Sequence, residues 1–253
     1  MTATTFIGVD LAWKTEGNHS GIAVLEGDER QIELRTFADG LVSMAAVVDF
    51  IESQSNADSV VAVDAPLVVK NATGQRPCET LISKHFGRYD AGCHTSNTAK
   101  LYADTGTKLV KALSGHGFIH DFDMATAKQR AGRWLFEVYP HPAMVRLFGL
   151  ERIIRYKKGS VAEKRCGLGK LRQHLISLAS GSRGLVATPN LSELLERDLE
   201  ALRGKGLKCY EDTLDSLFCA YLAWHCWRWG AERNEVFGTM EDGYIVVPKT
   251  VAG

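Results

Sequence analysis

Short apolar runs separated by polar turns fill the first part of the chain. Residues 5–13 form a nearly continuous apolar run that predicts a β-strand, and the polar residues 14–19 predict a turn. Residues 21–25 and 31–37 predict a second and a third strand. Because the connections between them are short, we expect the three strands to pair as an antiparallel meander.

The next segment changes to helical spacing. Apolar residues recur at helical intervals over 41–53, and 59–63 is a fully apolar fourth strand. A strand, a helix and a further strand imply parallel pairing through a right-handed crossover.

A long segment, 67–133, separates this strand from the next. It is rich in Gly, His and Thr and has helix-like pieces near 77–86 and 98–113. Since it is too long for a plain connection, we expect an insertion or lid subdomain within a single domain that spans 1–253.

The second half of the chain is mostly helical. A fifth strand is predicted at 134–139, helices at 142–149, 161–180, 191–204 and 212–229, and a terminal hairpin at 236–237 and 244–247. Trp224, Trp227 and Trp229 lie on the last helix and are predicted to be core or interface residues. The whole pattern predicts an α/β fold, in which a mixed sheet is flanked by helices.

Three acids interrupt apolar runs, which is the most informative chemical feature of the sequence. Asp10 lies within the first strand, Asp64 closes the fourth and Glu137 lies within the fifth. A buried carboxylate is costly unless it is paired or bound to a cation. One such acid is commonly a strand-end cap, but three in three predicted core strands favour a shared site.

Asp212 and Asp215 supply a fourth acidic element. Three residues apart on a helix, they share one face, which continues through buried positions. Asp212 is also a credible helix N-cap, so this pair alone is ambiguous. If the acids converge, divalent cations must offset their repulsion, and hard oxygen ligands select Mg²⁺ or Mn²⁺. Such ions support phosphodiester hydrolysis by water.

The order of these elements resembles the ribonuclease H-like superfold, and the chain resembles the Domain of Unknown Function 429 family of predicted nucleases. The segments that carry this resemblance are Gly8-Val-Asp10-Leu-Ala, Val63-Asp64-Ala-Pro-Leu67, Arg76-Pro-Cys-Glu79, Glu137-Val-Tyr-Pro140 and Asp212-Thr-Leu-Asp215-Ser-Leu-Phe-Cys-Ala220. The resemblance implies that Asp10, Asp64 and either Asp212 or Asp215 bind metal, with Glu137 as an extra ligand. The chain departs from that superfold in one respect: the segment between its fourth and fifth predicted strands is far longer than in a minimal ribonuclease H.

Three residues of the insertion are candidate substrate contacts. Arg76 and Glu79 either line the mouth of the site or pair within it, or they are the exposed polar start of a helix with Pro77 in its first turn. His94 either contacts a substrate phosphate or is an ordinary surface-loop histidine.

The formal net charge of zero is the sum of acidic and basic segments. Residues 1–66 carry 11 acids against 3 Lys/Arg, 67–133 carry 10 Lys/Arg against 5 acids, and 151–183 carry 9 Lys/Arg against 2 acids. The last stretch contains Lys157, Lys158 and Lys170, which we expect either to bind a phosphate backbone or to form a solvated helix face. Neutrality therefore does not exclude nucleic acid as the substrate.

The sequence also bears on compartment. The N-terminal residues do not resemble a signal peptide, and no apolar run approaches a membrane span. The six cysteines include no CxxC pair, and the spacing of Cys78, His85, Cys93 and His94 matches no standard zinc site. We therefore expect a cytoplasmic protein with reduced thiols and no membrane partner; the oligomeric state is left open.

The leading hypothesis is a Mg²⁺- or Mn²⁺-dependent nuclease. A second is a phosphotransferase related to actin-like ATPases and sugar kinases. Leu11-Ala12-Trp13 follows Asp10 where that class usually has phosphate-binding glycine, which counts against it. A third is a catalytically silent nucleic-acid-binding module with the same fold.

Overall fold

The protein is built on a six-stranded mixed sheet. The structure is a computed structural model that describes residues 3–13, 17–179 and 183–250. The strands of the sheet are β1 (Thr4–Asp10), β2 (Ser20–Gly27), β3 (Ile32–Leu41), β4 (Ser59–Asp64), β5 (Phe118–His120) and β6 (Arg133–Glu137). Their order is β3-β2-β1-β4-β6-β5; β1–β3 pair antiparallel, whereas β1, β4, β6 and β5 run parallel.

Helices cover both faces of this sheet. They are α1 (Met44–Gln54), α2 (Pro77–Phe86), α3 (Thr105–Gly115), α4 (Met124–Gln129), α5 (Pro140–Phe148), α6 (Val161–Leu178), α7 (Pro189–Leu195) and α8 (Gly204–Arg233). A separate hairpin consists of β7 (Asn234–Thr239) and β8 (Gly243–Pro248).

Alternating strand residues supply two separate cores, as the pleat of a strand requires. Phe6 faces the larger core under α6 and α8, while its neighbour Ile7 faces the smaller core under α1 and α3. A third apolar cluster joins α2 to the β7–β8 hairpin. Segment 67–133 thus provides α2 beside the hairpin and β5 at the sheet edge.

The predicted meander and the parallel fourth strand are confirmed, but several boundaries are wrong. β1 ends at Asp10 and not at 13, and α3 begins at Thr105 and not near 98. The strand predicted at 134–139 ends at Glu137, because Pro140 begins α5, and it is sixth in order because β5 precedes it. Residues 14–16 of the predicted turn and the predicted helix end at 180 lie outside the described residues.

The late helix begins well before the predicted residue 212. α8 starts at Gly204 and includes Gly206, two residues that suggest a loop in the sequence. Burial of Leu207 and Tyr210 against the main core holds this first part of the helix. Asp212 is therefore an interior helix residue, and its interpretation as an N-cap is wrong.

Two glycines allow α8 to lie directly on the sheet. A Cβ at Gly8 would lie 2.0 Å from the Ser216 carbonyl oxygen, and one at Gly21 would lie 2.4 Å from the Asp212 carbonyl oxygen. The helix backbone therefore touches β1 and β2, which brings its acidic face next to the end of β1.

The apolar part of α8 belongs to the core. Trp224 and Trp227 are buried, as predicted, and Trp229 is half-buried. Among the described residues, no helix has the length and apolar character needed to cross a membrane.

Candidate functional site

An open cleft of about 570 Å³ lies at the carboxyl ends of the central parallel strands. The last residues of β1, β4 and β6 all line it, because parallel strands end at the same edge of a sheet. The candidate residues that the structure brings together there are Asp10, Asp64, Arg76, Glu79, His94, Glu137, Lys157 and Asp212.

Asp10 and Asp64 form the centre of the cleft. They are direct partners in the parallel register of β1 and β4, so they lie on adjacent strands. Burial raises the pKa of both carboxyl groups. The negative charge of Asp215 raises both pKa values further, and that of Asp10 also raises the pKa of Asp64. Two ionised carboxylates here would be stabilised by a nearby cation.

Asp212 reaches the same cleft from α8. The Lys208 ammonium pairs with Asp212 Oδ1 and lies 2.8 Å from Glu211 Oε1. Burial, together with the charge of Asp10, raises the pKa of Asp212 to about 8. Asp212 Oδ2 is buried and has no hydrogen-bond partner among the described residues. This carboxylate is only partly compensated.

Asp215 has a different environment from Asp212. It is fully buried, and its Oδ1 accepts a hydrogen bond of 2.6 Å from the Tyr156 hydroxyl. The Lys157 ammonium lies 2.8 Å from Asp215 Oδ2. Burial alone would lower the pKa of Lys157, but the carboxylates of Asp215 and Asp10 raise it well above its usual range. Asp215 is absent from the cleft lining and holds Lys157 at its edge.

Arg76, Glu79 and Glu137 form a second charged cluster in the cleft wall. The Arg76 guanidinium contacts both Glu137 oxygens, with Nη2–Oε1 at 2.6 Å and Nη1–Oε2 at 2.9 Å. Its Nε lies 2.9 Å from Glu79 Oε1. Arg76 is 1% exposed, so the interpretation of Arg76 and Glu79 as an exposed helix start is wrong, and pairing within the site is what the structure shows.

Backbone amides complete this second cluster. Leu67 N–H donates to Glu137 Oε2 at 2.8 Å, and Ser96 N–H donates to Glu79 Oε2 at 3.0 Å. Arg76 N–H also donates to Glu79 Oε2, which forms a capping box at the start of α2. Every carboxylate oxygen in the cluster therefore has a fixed donor, and Glu137 has no oxygen left without one.

The remaining candidates divide by position. His94 is exposed in the loop after α2 and lines the cleft, whereas Lys158 and Lys170 are exposed and lie outside its lining. His141, at the start of α5, also lines it; burial and the neighbouring Lys157 lower the pKa of His141 to about 4.

Lys208 and Tyr156 are site residues that the sequence analysis missed. Lys208 is four residues before Asp212 on α8, an ion-pair spacing that becomes visible only when the helix is known to begin at Gly204. Tyr156 comes directly before Lys157, but nothing in the sequence indicates that its hydroxyl meets Asp215.

The acids are suitable donors for a hard cation, although they are not arranged around one. Over the described ranges, no group of three or more His, Cys, Asp or Glu side chains is placed to hold a metal ion as it stands. This also applies to the grouping of Cys78, His85, Cys93 and His94. Instead, Lys157 and Lys208 provide the positive charge beside the aspartates.

Comparison with known proteins gives one match. A family model described as "Protein of unknown function (DUF429)" matches residues 8–236. No curated protein and no solved structure matches the chain. The matched span contains all the candidate site residues described above.

Proposed function

The chain belongs to the DUF429 family, and for this member we propose divalent-metal-dependent hydrolysis of phosphodiester bonds in nucleic acid. The observation that carries the proposal is the meeting of Asp10, Asp64 and Asp212 in one open cleft. They come from two adjacent strand ends and one helix, three elements that pack rigidly against each other.

The topology supports the proposal. An antiparallel meander continues into parallel strands, and a late helix packs on β1 with its acids beside the strand ends. This is the arrangement that the resemblance to the ribonuclease H-like superfold implies, and in that superfold these positions hold metal. Fold likeness alone does not establish an activity, so the support for this activity must come from the side chains of the cleft.

The donor chemistry fits Mg²⁺ or Mn²⁺. Asp10, Asp64 and Asp212 offer only hard carboxylate oxygens, and Asp212 Oδ2 is buried without a hydrogen-bond donor among the described residues. These three residues would hold the ion. Asp215 would not, because Tyr156 and Lys157 engage its two oxygens. Glu137 would not either, because Arg76 and Leu67 engage its oxygens.

Other residues of the cleft would bind and position the substrate beside the ion. A bound divalent ion supplies an activated water and offsets charge on the phosphate. Lys157, fixed by Asp215, places an ammonium at the edge of the cleft, where it can meet a phosphate oxygen. His94 lies exposed in the cleft lining and is positioned to contact the substrate.

The test is cleavage of single-stranded, duplex, hybrid and branched nucleic acids with and without Mg²⁺ or Mn²⁺. Asp64→Asn should lower the cleavage rate by on the order of 10²–10³-fold and weaken Mn²⁺ binding measured by calorimetry. Asp49→Asn, an exposed acid on α1 outside the cleft, is the matched control and should change neither. Full activity in Asp10→Asn and Asp64→Asn proteins would remove the proposed site.

A catalytically silent nucleic-acid-binding module is the second candidate. The pairing of Lys157 and Lys208 with the aspartates favours it, since these amines can neutralise the cleft without metal. Nucleic-acid binding that persists with no Mn²⁺ binding and no cleavage would select this alternative over the nuclease. No comparable observation favours the phosphotransferase, because buried Leu11 and half-buried Ala12 follow Asp10 where that class has glycine.

A further inference from the structure

Trp13 is an exposed aromatic side chain in the lining of the acidic cleft. It lies three residues beyond Asp10, and 42% of it is exposed. Its carbonyl oxygen lies 2.7 Å from the Thr105 hydroxyl at the start of α3, which can donate to it or to the Tyr102 carbonyl oxygen. This contact ties the backbone of Trp13 to α3, while the indole ring stays exposed in the cleft lining.

The described lining of the cleft has few cations to bind phosphates. Of its lysine and arginine residues, Arg76, Lys157 and Lys208 are in ion pairs, and of these only Lys157 is proposed to meet a phosphate. Lys205 lines the cleft and makes no ion pair within the described parts of the chain. A ligand that relied on many phosphate contacts would find little to bind here.

The basic stretch 151–183 does not extend this surface. Of its described residues only Lys157 lines the cleft. Arg152 and Arg155 pair with Asp90, and Arg165 pairs with Glu200. Of the two alternatives for this stretch, the described residues outside Lys157 therefore fit a solvated face better than a phosphate-binding one, and a further interaction is needed to hold the substrate in the cleft.

We propose that Trp13 stacks on an unpaired nucleobase, so that the cleft binds a short single-stranded segment of nucleic acid. This inference rests on the proposed function, because it names the substrate class of the same cleft. The cleft volume of about 570 Å³ falls in the range of small-ligand sites and suits a few splayed nucleotides better than the face of a duplex. Base–aromatic stacking supplies affinity without sequence selectivity or many charges.

The test measures binding of fluorescein-labelled single-stranded DNA and RNA of about ten nucleotides, and of duplexes of the same length, by anisotropy in EDTA and in Ca²⁺. Trp13→Ala should weaken single-strand binding by about 5- to 100-fold, the loss of one stacked base. Trp13→Phe should keep most of the affinity, because it keeps an aromatic face. Ile176→Ala removes an equally exposed apolar side chain on α6 and should have no effect.

Two further readouts separate stacking from charge. The dependence of binding on salt should be shallow, equivalent to about one or two phosphate contacts, whereas six to ten would cost about 10³–10⁵ in affinity between 50 and 200 mM salt. Single strands should also quench tryptophan fluorescence in the wild type and not in Trp13→Ala. Trp134, Trp224 and Trp227 are buried, and Trp229 is half-buried outside the cleft lining, so loss of the quenching in Trp13→Ala assigns the signal to Trp13.

The outcomes distinguish this inference from the proposed nuclease. Equal single-strand binding by wild type and Trp13→Ala, tighter binding of duplex, or no binding at all would overturn the stacking assignment. If metal-dependent cleavage is nevertheless lost in Asp64→Asn, the nuclease proposal stands without it. If binding depends on Trp13 but no cleavage occurs, the stacking site stands and the nuclease proposal fails.

Discussion

Two charged clusters meet at the same cleft, and they are built differently. In the arginine cluster (Arg76, Glu79 and Glu137), a guanidinium and backbone amides engage every carboxylate oxygen. In the aspartate cluster (Asp10, Asp64, Asp212 and Asp215), the described cations are two partly exposed lysines, and neither Asp212 Oδ2 nor Asp215 Oδ2 has a hydrogen-bond donor among the described residues.

The difference distinguishes a charged cluster that holds parts of the fold together from one that could bind a further ion or a substrate group. A closed cluster fixes the elements that it joins, and the arginine cluster ties α2 and the loops at Leu67 and Ser96 to the end of β6. An incompletely compensated cluster retains capacity for a further cation or a substrate group. In the sequence, Glu137 and the aspartates were candidate catalytic acids alike, whereas Arg76 and Glu79 were candidate substrate contacts; the partners in the fold separate Glu137 from the aspartates.

The largest expected effect is the loss of stability when the closed cluster is broken. Arg76→Met leaves Glu79 and Glu137 buried without a counter-ion and should lower the free energy of unfolding by about 3–5 kcal/mol. Urea denaturation at pH 7 measures this. Arg152→Met, which removes an exposed arginine that is paired with Asp90, is the control and should cost less than about 1 kcal/mol. Equal costs for both variants would show that the buried cluster is not structural.

Disrupting the aspartate cluster should have the opposite effect, a loss of activity without a loss of stability. Asp64→Asn should lower the cleavage rate by on the order of 10²–10³-fold, equivalent to about 3–4 kcal/mol of transition-state stabilisation. Its melting temperature should hold steady or rise, because burial raises the pKa of Asp64 and the ionised form is costly in the fold. A large fall in melting temperature with unchanged specific activity would reverse the assignment of the two clusters.

The sequence identifies the unusual residues better than it identifies their partners. Asp10, Asp64 and Glu137 are visible because an acid within an apolar strand breaks a local pattern. Arg76 and Glu137 are 61 positions apart, and Tyr156 and Asp215 are 59 apart, so no local pattern can pair them. The pairing depends on which loops meet at the sheet edge.

Local composition gives a wrong expectation at the start of α8. Gly204 and Gly206 suggest a loop, yet burial of the following residues keeps them in α8, which hides the pairing of Lys208 with Asp212. Tertiary packing overrides a local preference here. The basic stretch left two alternatives open, and Lys158 and Lys170, exposed outside the cleft lining, fit the solvated face.

The pH dependence of stability should also differ between the clusters. Because the pKa of Asp212 is raised to about 8, the folded protein holds a proton that the unfolded chain releases above about pH 4. This contribution to stability is present below pH 4 and is lost as the pH rises toward and through 8. A rise in pKa only half as large would still lower the free energy of unfolding by about 3 kcal/mol over that pH range.

Melting temperatures of wild type and Asp212→Asn at pH 6.5 to 9 test this. The wild type should lose stability relative to the variant across that window, which lies above the lowered pKa of about 4 for His141 and His225. Added Mn²⁺ should raise the melting temperature of the wild type more than that of Asp212→Asn. Parallel pH profiles for the two proteins would count against an incompletely compensated Asp212.

The smallest expected effect concerns Asp215, the member of the aspartate cluster whose partners resemble those of the closed cluster. Tyr156→Phe removes the 2.6 Å hydrogen bond to a fully buried carboxylate and should cost about 2 kcal/mol in urea denaturation. Tyr221→Phe, which loses a hydrogen bond to the Arg183 carbonyl oxygen outside the cleft lining, is the matched control and should cost about 1 kcal/mol. Because Tyr156 acts through Asp215 on Lys157, Tyr156→Phe should also weaken substrate binding, whereas Tyr221→Phe should not. Identical stability and binding in the two variants would mean that Asp215 does not position Lys157.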